Sequence, residues 1–197
     1  MYSPALNIDL NRRYTFADYL TWVDDTRREL VNGIVKLMSP APSRAHQDIS
    51  RELVLSLANK IKRYRGRCKV YYAPFDVRLP QHGTTADDQI YTVVQPDICV
   101  VCDLSKLDEH GCLGAPDLVV EVQSVATAKY DLDEKFHIYQ EAGVKEYWVV
   151  VPAEGLLAFI LQPDGSYAKG VVYHKTDKLP IHIFDGVELD LTRVFQA

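Results

Sequence analysis

Residues 116–151 read Pro-Asp-Leu-Val-Val-Glu-Val, then a polar connection and a helical stretch, then Glu-Tyr-Trp-Val-Val-Val. Two apolar strands separated by one helix make a β-α-β crossover, which is right-handed and lays its strands parallel in a sheet covered on both faces. That restricts the chain to an α/β architecture. Within the first strand, Glu121 stands between Val120 and Val122, so a carboxylate is carried into a core. Such a group is costly unless it is paired, protonated or bound to a cation. Upstream, Pro96-Asp97 opens a second apolar strand, Ile98 to Cys102, with another acid at its entrance.

Strand alternation decides which side chains share a face. In 118–123, Val119, Glu121 and Gln123 point one way; in 97–102, Asp97, Cys99 and Val101 share a face. If the strands are neighbours with matching faces, Asp97 and Glu121 converge on one divalent ion with Gln123 beside them. Hard oxygen donors with open water positions suit Mg²⁺ or Mn²⁺. Each acid has a blander role open to it: Glu121 satisfied by a structural Arg or Lys, Asp97 capping a turn after Pro96. A helix expected over 129–142 carries Asp131 and Lys135 at i,i+4 spacing, with Leu132, Phe136 and Tyr139 as its apolar stripe. Lys135, at the edge of that stripe, can reach toward Glu121 and position a water or stabilise an oxyanion on phosphorus, or else form a surface ion pair with Asp131. Tyr139 and Trp148 read as packing.

Around this centre, Thr15 caps a short helix over 16–24, and Asn32-Gly33 turns a hairpin between Arg28–Val31 and Ile34–Met38. A long helix runs from about Ser43 to Tyr64, with Ile49, Leu53, Val54, Leu57 and Ile61 as its apolar stripe. Strands are expected at 69–72, 75–79 and 146–151, and antiparallel strands at 156–162, 167–174 and 181–184. The whole reads as one domain, residues 1–197, with a mixed sheet flanked by helices. No run approaches the roughly 18 apolar residues of a membrane span and no leader pattern opens the chain, so a soluble, cytoplasmic protein is expected. In that compartment the 4 cysteines stay reduced.

The net charge of −5 argues against a protein that coats nucleic acid non-specifically, yet allows a local phosphate patch. Lys60, Lys62, Arg63, Arg65, Arg67 and Lys69 form a basic run without an acid. It either complements the helix C-terminus or contacts phosphates, with Tyr64, Tyr71 and Tyr72 nearby. Cys99-x-x-Cys102 with His110 and Cys112 is a poor zinc set, because an offset of three within a strand separates Cys99 and Cys102 to opposite faces. No nucleophile elbow, phosphate loop or dinucleotide glycine pattern occurs.

The Pro-Asp pair opening one strand and the Glu-x-x of the next resemble the PD-(D/E)XK nuclease superfamily, the restriction-endonuclease-like fold. More narrowly, E-L-V-N-G-I-V (29–35), M-S-P (38–40), H-Q (46–47), Q-P-D-I (95–98), P-D-L-V-V-E-V (116–122), D-L-x-x-K-x-x-x-Y (131–139) and A-G-V-K-E-Y-W-V-V (142–150) are similar to the Uma-two family of endonucleases, over about residues 14–165. The resemblance implies Mg²⁺-dependent hydrolysis of DNA phosphodiesters and a homodimer. It implies Asp97, Glu121 and the Val122 backbone carbonyl as metal ligands, with Glu29 completing the acidic cluster. Lys135 matches a lysine moved from the strand to the following helix, and His46 a recurrent histidine. Two departures stand out: the strand motif is E-x-Q, with Gln123 in the superfamily's lysine position, and Ser124-Val125-Ala126-Thr127 lacks the family's usual proline. A catalytically weak nucleic-acid-binding relative and a two-carboxylate glycosidase are the rival classes, the latter disfavoured by the Pro-Asp strand opening.

Overall fold

The computed structural model of the protein describes residues 8–38, 41–63, 67–81, 83–123 and 133–196. In chain order the elements are α1 (Phe16–Tyr19), β1 (Arg28–Val31), β2 (Ile34–Leu37), α2 (Arg44–Arg63), β3 (Lys69–Tyr72), β4 (Val77–Arg78), β5 (Val93–Val94) and β6 (Ile98–Val101). They continue with β7 (Leu107–Asp108), β8 (Gly111–Leu113), β9 (Leu118–Val122), α3 (Glu134–Ala142), β10 (Glu146–Val151), β11 (Gly155–Ile160), β12 (Val171–His174), β13 (Lys178–Pro180), β14 (Glu188–Asp190) and α4 (Leu191–Phe195).

The strands form two six-stranded sheets, ordered β2-β1-β5-β4-β8-β7 and β12-β11-β10-β9-β6-β3, plus the β13-β14 pair. A single mixed sheet was expected. The chain changes sheet between β5 and β6, across Gln95-Pro96-Asp97, where Pro96 has no amide with which to continue a ladder. In the second sheet β9 pairs parallel with β10 (Glu121↔Val149), as the crossover demands, and antiparallel with β6 (Ile98↔Val120).

Every residue of β9 is buried, because both faces are covered. On one face Ile98, Val100, Leu118, Val120, Val122, Trp148 and Val150 pack under α2 and the C-terminal residues Leu179, Leu189, Leu191 and Val194. On the other, Cys99, Val101, Val119, Tyr147 and Val149 pack with Tyr139 of α3 and with Val77, Val94 and Cys112 of the first sheet. Each fully buried aliphatic side chain here contributes about 1.5–3 kcal/mol. The layers therefore enclose the end of β9 that carries Glu121.

Local chemistry sets the boundaries. Thr15 and Asp18 form a capping box, but α1 stops after four residues, short of the expected 16–24. Asn32 and Gly33 take positive φ (50° and 83°), the geometry of a type I′ hairpin turn. Gly143, left-handed at φ 83°, closes α3. The expected strand at 181–184 is instead a turn between β13 and β14, with the Phe184 amide donating to the Ile181 carbonyl at 3.0 Å. Helix α4 was not foreseen: five residues are too short for a periodic signal.

The cysteines also differ from expectation. Cys68 and Cys102 form a disulfide, with Cα atoms 3.8 Å apart. Continuing the β3–β6 register one step past Lys69↔Val101 puts them directly opposite. Cys99 and Cys112 are free and buried, and burial pushes the Cys112 thiol up to about 11. Cys99 and Cys102 lie in opposite cores, which excludes the zinc set. Among the described residues no helix is long and apolar enough to cross a membrane.

Candidate functional site

Glu29 from β1, Glu121 from β9, and Lys135 and Tyr139 from α3 meet between the two sheets, and Asp97 of the β5–β6 link lies beside the end of β9. Continuing the β6–β9 register one step beyond Ile98↔Val120 sets Asp97 opposite Glu121, but the Asp97 carboxylate turns to His46 of α2, the helix that covers the Ile98 face, whereas Glu121 faces α3. The Lys135 ammonium lies 2.8 Å from Glu121 Oε1 and 3.2 Å from Glu29 Oε1. All three side chains are at most 5% exposed, so the bridge is a core feature rather than a surface ion pair. Asp131, its alternative partner, lies outside the described residues.

Lys135 and Tyr139 are the buried residues of α3. They are four apart on one face, and both donate to Glu121 Oε1, the Tyr139 hydroxyl at 2.7 Å. Of the expected stripe Leu132, Phe136 and Tyr139, Leu132 lies outside the described residues, and Tyr139 is buried with its hydroxyl on Glu121. Burial, then the Glu121 and Glu29 carboxylates, holds the Tyr139 phenol well above its ordinary range, so it stays a donor. Glu29 accepts a further hydrogen bond, at 2.8 Å, from the Gln95 backbone amide. The Gln95 side chain in turn donates to Asp76 at 2.8 Å and accepts from Arg27 Nη2 at 2.8 Å. Tyr139 and Gln95 are the site residues that sequence reasoning missed. Their signals were spacing: one turn beyond Lys135, and the position just before Pro96-Asp97.

Asp97 is the accessible member, its side chain 24% exposed. Its Oδ2 accepts the Val122 amide at 2.8 Å and lies 3.1 Å from His46 Nε2, in the first turn of α2. Ser50, one turn further along α2, stands 3.4 Å from the other imidazole nitrogen. Gln123, half-buried at the end of β9, ties its backbone to β10 through the Val150 carbonyl at 2.8 Å. The basic run is not at this centre. Lys60 is 14 residues beyond His46 on the same helix, about 21 Å away at about 1.5 Å per residue. Lys62, Arg63, Arg67 and Lys69 lie at that far end too, and Arg65 lies outside the described residues.

Among the described residues no three His, Cys, Asp or Glu side chains are grouped so that they could hold a metal ion. The donor set nonetheless fits a hard divalent cation held by one or two carboxylates and completed by water, as Mg²⁺ prefers. Glu29 and Glu121 share one ammonium, an excess of one carboxylate that a cation would relieve, and Asp97 lies against the His46 imidazole.

Tyr139→Phe keeps the ring, which packs 5.0 Å from Tyr147, but removes one donor from Glu121. It is expected to cost about 1.5–3 kcal/mol in urea unfolding, the range for one hydrogen bond to a charged group, since Lys135 still donates to the same oxygen.

The fold matches a crystal structure of a "putative nuclease belonging to DUF820" from Anabaena variabilis ATCC 29413, with TM-score 0.69 and 17% identity over 93% of this chain and 98% of that one. No functionally curated protein matches the chain. The Uma2 family model, described as "Putative restriction endonuclease", matches residues 16–192. With its mixed α/β sheets and nearly the whole sequence within that match, the chain belongs to the Uma2 family.

Proposed function

We propose that the protein is a Mg²⁺- or Mn²⁺-dependent endonuclease that hydrolyses DNA phosphodiesters at the Asp97–Glu121 centre. The observation that carries this reading is the buried Glu29–Lys135–Glu121 bridge beside a more accessible Asp97. Asp97, Glu121 and the Val122 carbonyl would hold the metal, with Glu29 completing the acidic set. When bound, it polarises the scissile phosphate and lowers the pKa of a coordinated water.

The chain's own residues set the geometry around that centre. Lys135 and Tyr139 fix the Glu121 carboxylate from one side, and the Gln95 amide fixes Glu29. His46 and the Val122 amide hold Asp97 where substrate can approach. Gln123, in the strand position where the wider nuclease superfamily carries lysine, orients a water through its neutral amide but supplies no charge. Lys135 then provides the positive charge near the phosphate. A homodimer would present two such centres to the two strands of a duplex.

The test is nicking of supercoiled plasmid with Mg²⁺ and with chelator. Asp97→Ala, Glu121→Ala and Lys135→Ala should each reduce nicking at least about 100-fold, the loss of several kcal/mol of transition-state stabilisation. Wild-type activity in all three variants rejects the reading. Duplex binding without cleavage in any divalent metal favours the binding-only relative, to which Gln123 also points.

A further inference from the structure

We propose that the cleft between α2 and α4 is a second phosphate-binding site, which seats the backbone of the same DNA one helix length from the reactive phosphate. This rests on the nuclease reading above and adds to it a built contact and a minimum substrate length.

The cleft has a volume of about 290 Å³ and is lined by Ser56, Asn59, Lys60, Arg63 and Arg193, with Asp190 and Leu189 at its C-terminal side. Ser56, Asn59, Lys60 and Arg63 recur at i, i+3, i+4 and i+7, so α2 presents them as one face. Helix α4 docks beside that face through Leu191 and Val194, which belong to the same core as Leu53 and Leu57. Docking brings Arg193, 130 residues beyond Arg63 in the sequence, to the same cleft.

Charge makes this placement informative. The chain has 27 acids against 22 lysines and arginines, so cations are scarce and would be expected to find acidic partners. Arg51, earlier on α2, does so with Asp48 and Glu52. Among the described residues, none of Lys60, Arg63 and Arg193 makes an ion pair. The acid in the cleft, Asp190, caps α4 by accepting the Thr192 amide at 3.1 Å. Two guanidinium forks, an ammonium, an amide and a hydroxyl form a donor set suited to a phosphate, which accepts bidentate hydrogen bonds from arginine.

Position then gives the length requirement. Lys60 and Arg63 lie 14 and 17 residues beyond His46 on an unbroken α2, a separation of about 21–25 Å at about 1.5 Å per residue. With phosphates about 3.4 Å apart along a strand, the two sites span about six or seven nucleotides.

Fluorescence anisotropy and nicking assays on labelled duplexes of different length test this. Lys60→Gln, Arg63→Gln and Arg193→Gln should each lower the slope of log K against log salt by about 1 on a duplex of about 20 base pairs. The triple variant should raise KM for nicking of that duplex about tenfold with kcat unchanged. On a duplex too short to reach the cleft, of about five base pairs, wild type and triple variant should behave alike. Circular dichroism should show the triple variant folded, since Arg63 and Arg193 are exposed and Lys60 only half-buried. Unchanged salt slope and KM on the long duplex overturn the proposal while leaving the nuclease reading intact. A reduced slope with no Mg²⁺-dependent cleavage by any form of the protein supports the cleft and rejects the nuclease reading. Failure of the wild type to bind duplex DNA at all overturns both.

Discussion

Replacing Lys135 with methionine is expected to lower the unfolding free energy by about 3–5 kcal/mol in chelator, the range for removing one partner of a buried ion pair, and to abolish Mg²⁺-dependent nicking. Methionine preserves most of the stem volume, so the effect reads the charge rather than a cavity. Lys135 Nζ stands between Glu121 and Glu29, 2.8 and 3.2 Å from their Oε1 atoms, and both acids are almost fully buried. Without the ammonium, two carboxylates face each other in a low dielectric. That repulsion in the core is expressed as the stability deficit. A metal site adds a second signature. If the acids accept a divalent cation, Mg²⁺ stabilises the variant by binding only the folded state, and part of the loss returns. Urea unfolding in chelator and in Mg²⁺ measures both effects. Wild-type stability in chelator rejects the bridge as a structural element, and the same deficit with and without Mg²⁺ counts against a cation among these acids.

The second large effect concerns a carboxylate remote from the chemistry. Glu146 is fully buried at the start of β10, on the face of Trp148. It accepts hydrogen bonds from Trp148 Nε1 at 2.8 Å and from the Ile183 amide at 3.2 Å. Desolvation raises its pKa to about 7 from 4.5, against the lowering effect of those hydrogen bonds. Below pH 4.5 the group is protonated in both states and costs nothing. Between pH 4.5 and about 7 the unfolded chain releases the proton that the folded chain retains, so stability falls as pH rises and then levels off. Glu146→Gln removes that titration. The variant's stability relative to wild type is expected to improve by up to about 3 kcal/mol between pH 4.5 and 8. Its amide oxygen meets only some of the Trp148, Ile183 and His182 donors, which adds a pH-independent cost of about 1–2 kcal/mol to that difference. Urea unfolding of both proteins across this pH range reads the difference, in which other titrating groups cancel. A constant difference from pH 4.5 to 8 shows that Glu146 does not titrate there.

The readable parts of this protein are those whose determinants are contiguous. Period-two alternation identified β6, β9 and β10, and the β-α-β order made β9 and β10 parallel neighbours. Asn32-Gly33 marked the hairpin that carries Glu29, and Gly143 marked the end of α3. Where the pattern was ambiguous the reading erred: I-H-I-F at 181–184 alternates like a strand, but Ile181 is buried in a turn by contacts with the α2 core.

By itself, then, the sequence determined the central strands, the hairpin and the crossover, because each depends on residues close together in the chain. Tertiary structure alone decided what satisfies Glu29 and Glu121. Lys135 bridges to Glu29 across 106 positions, Tyr139 turns a packing ring into a hydrogen-bond donor, and the Cys68–Cys102 disulfide follows from strand register. It also carried Arg193 to the far end of α2. Burial and long-range charge pairing are properties of surfaces brought together, and no spacing along the chain encodes them.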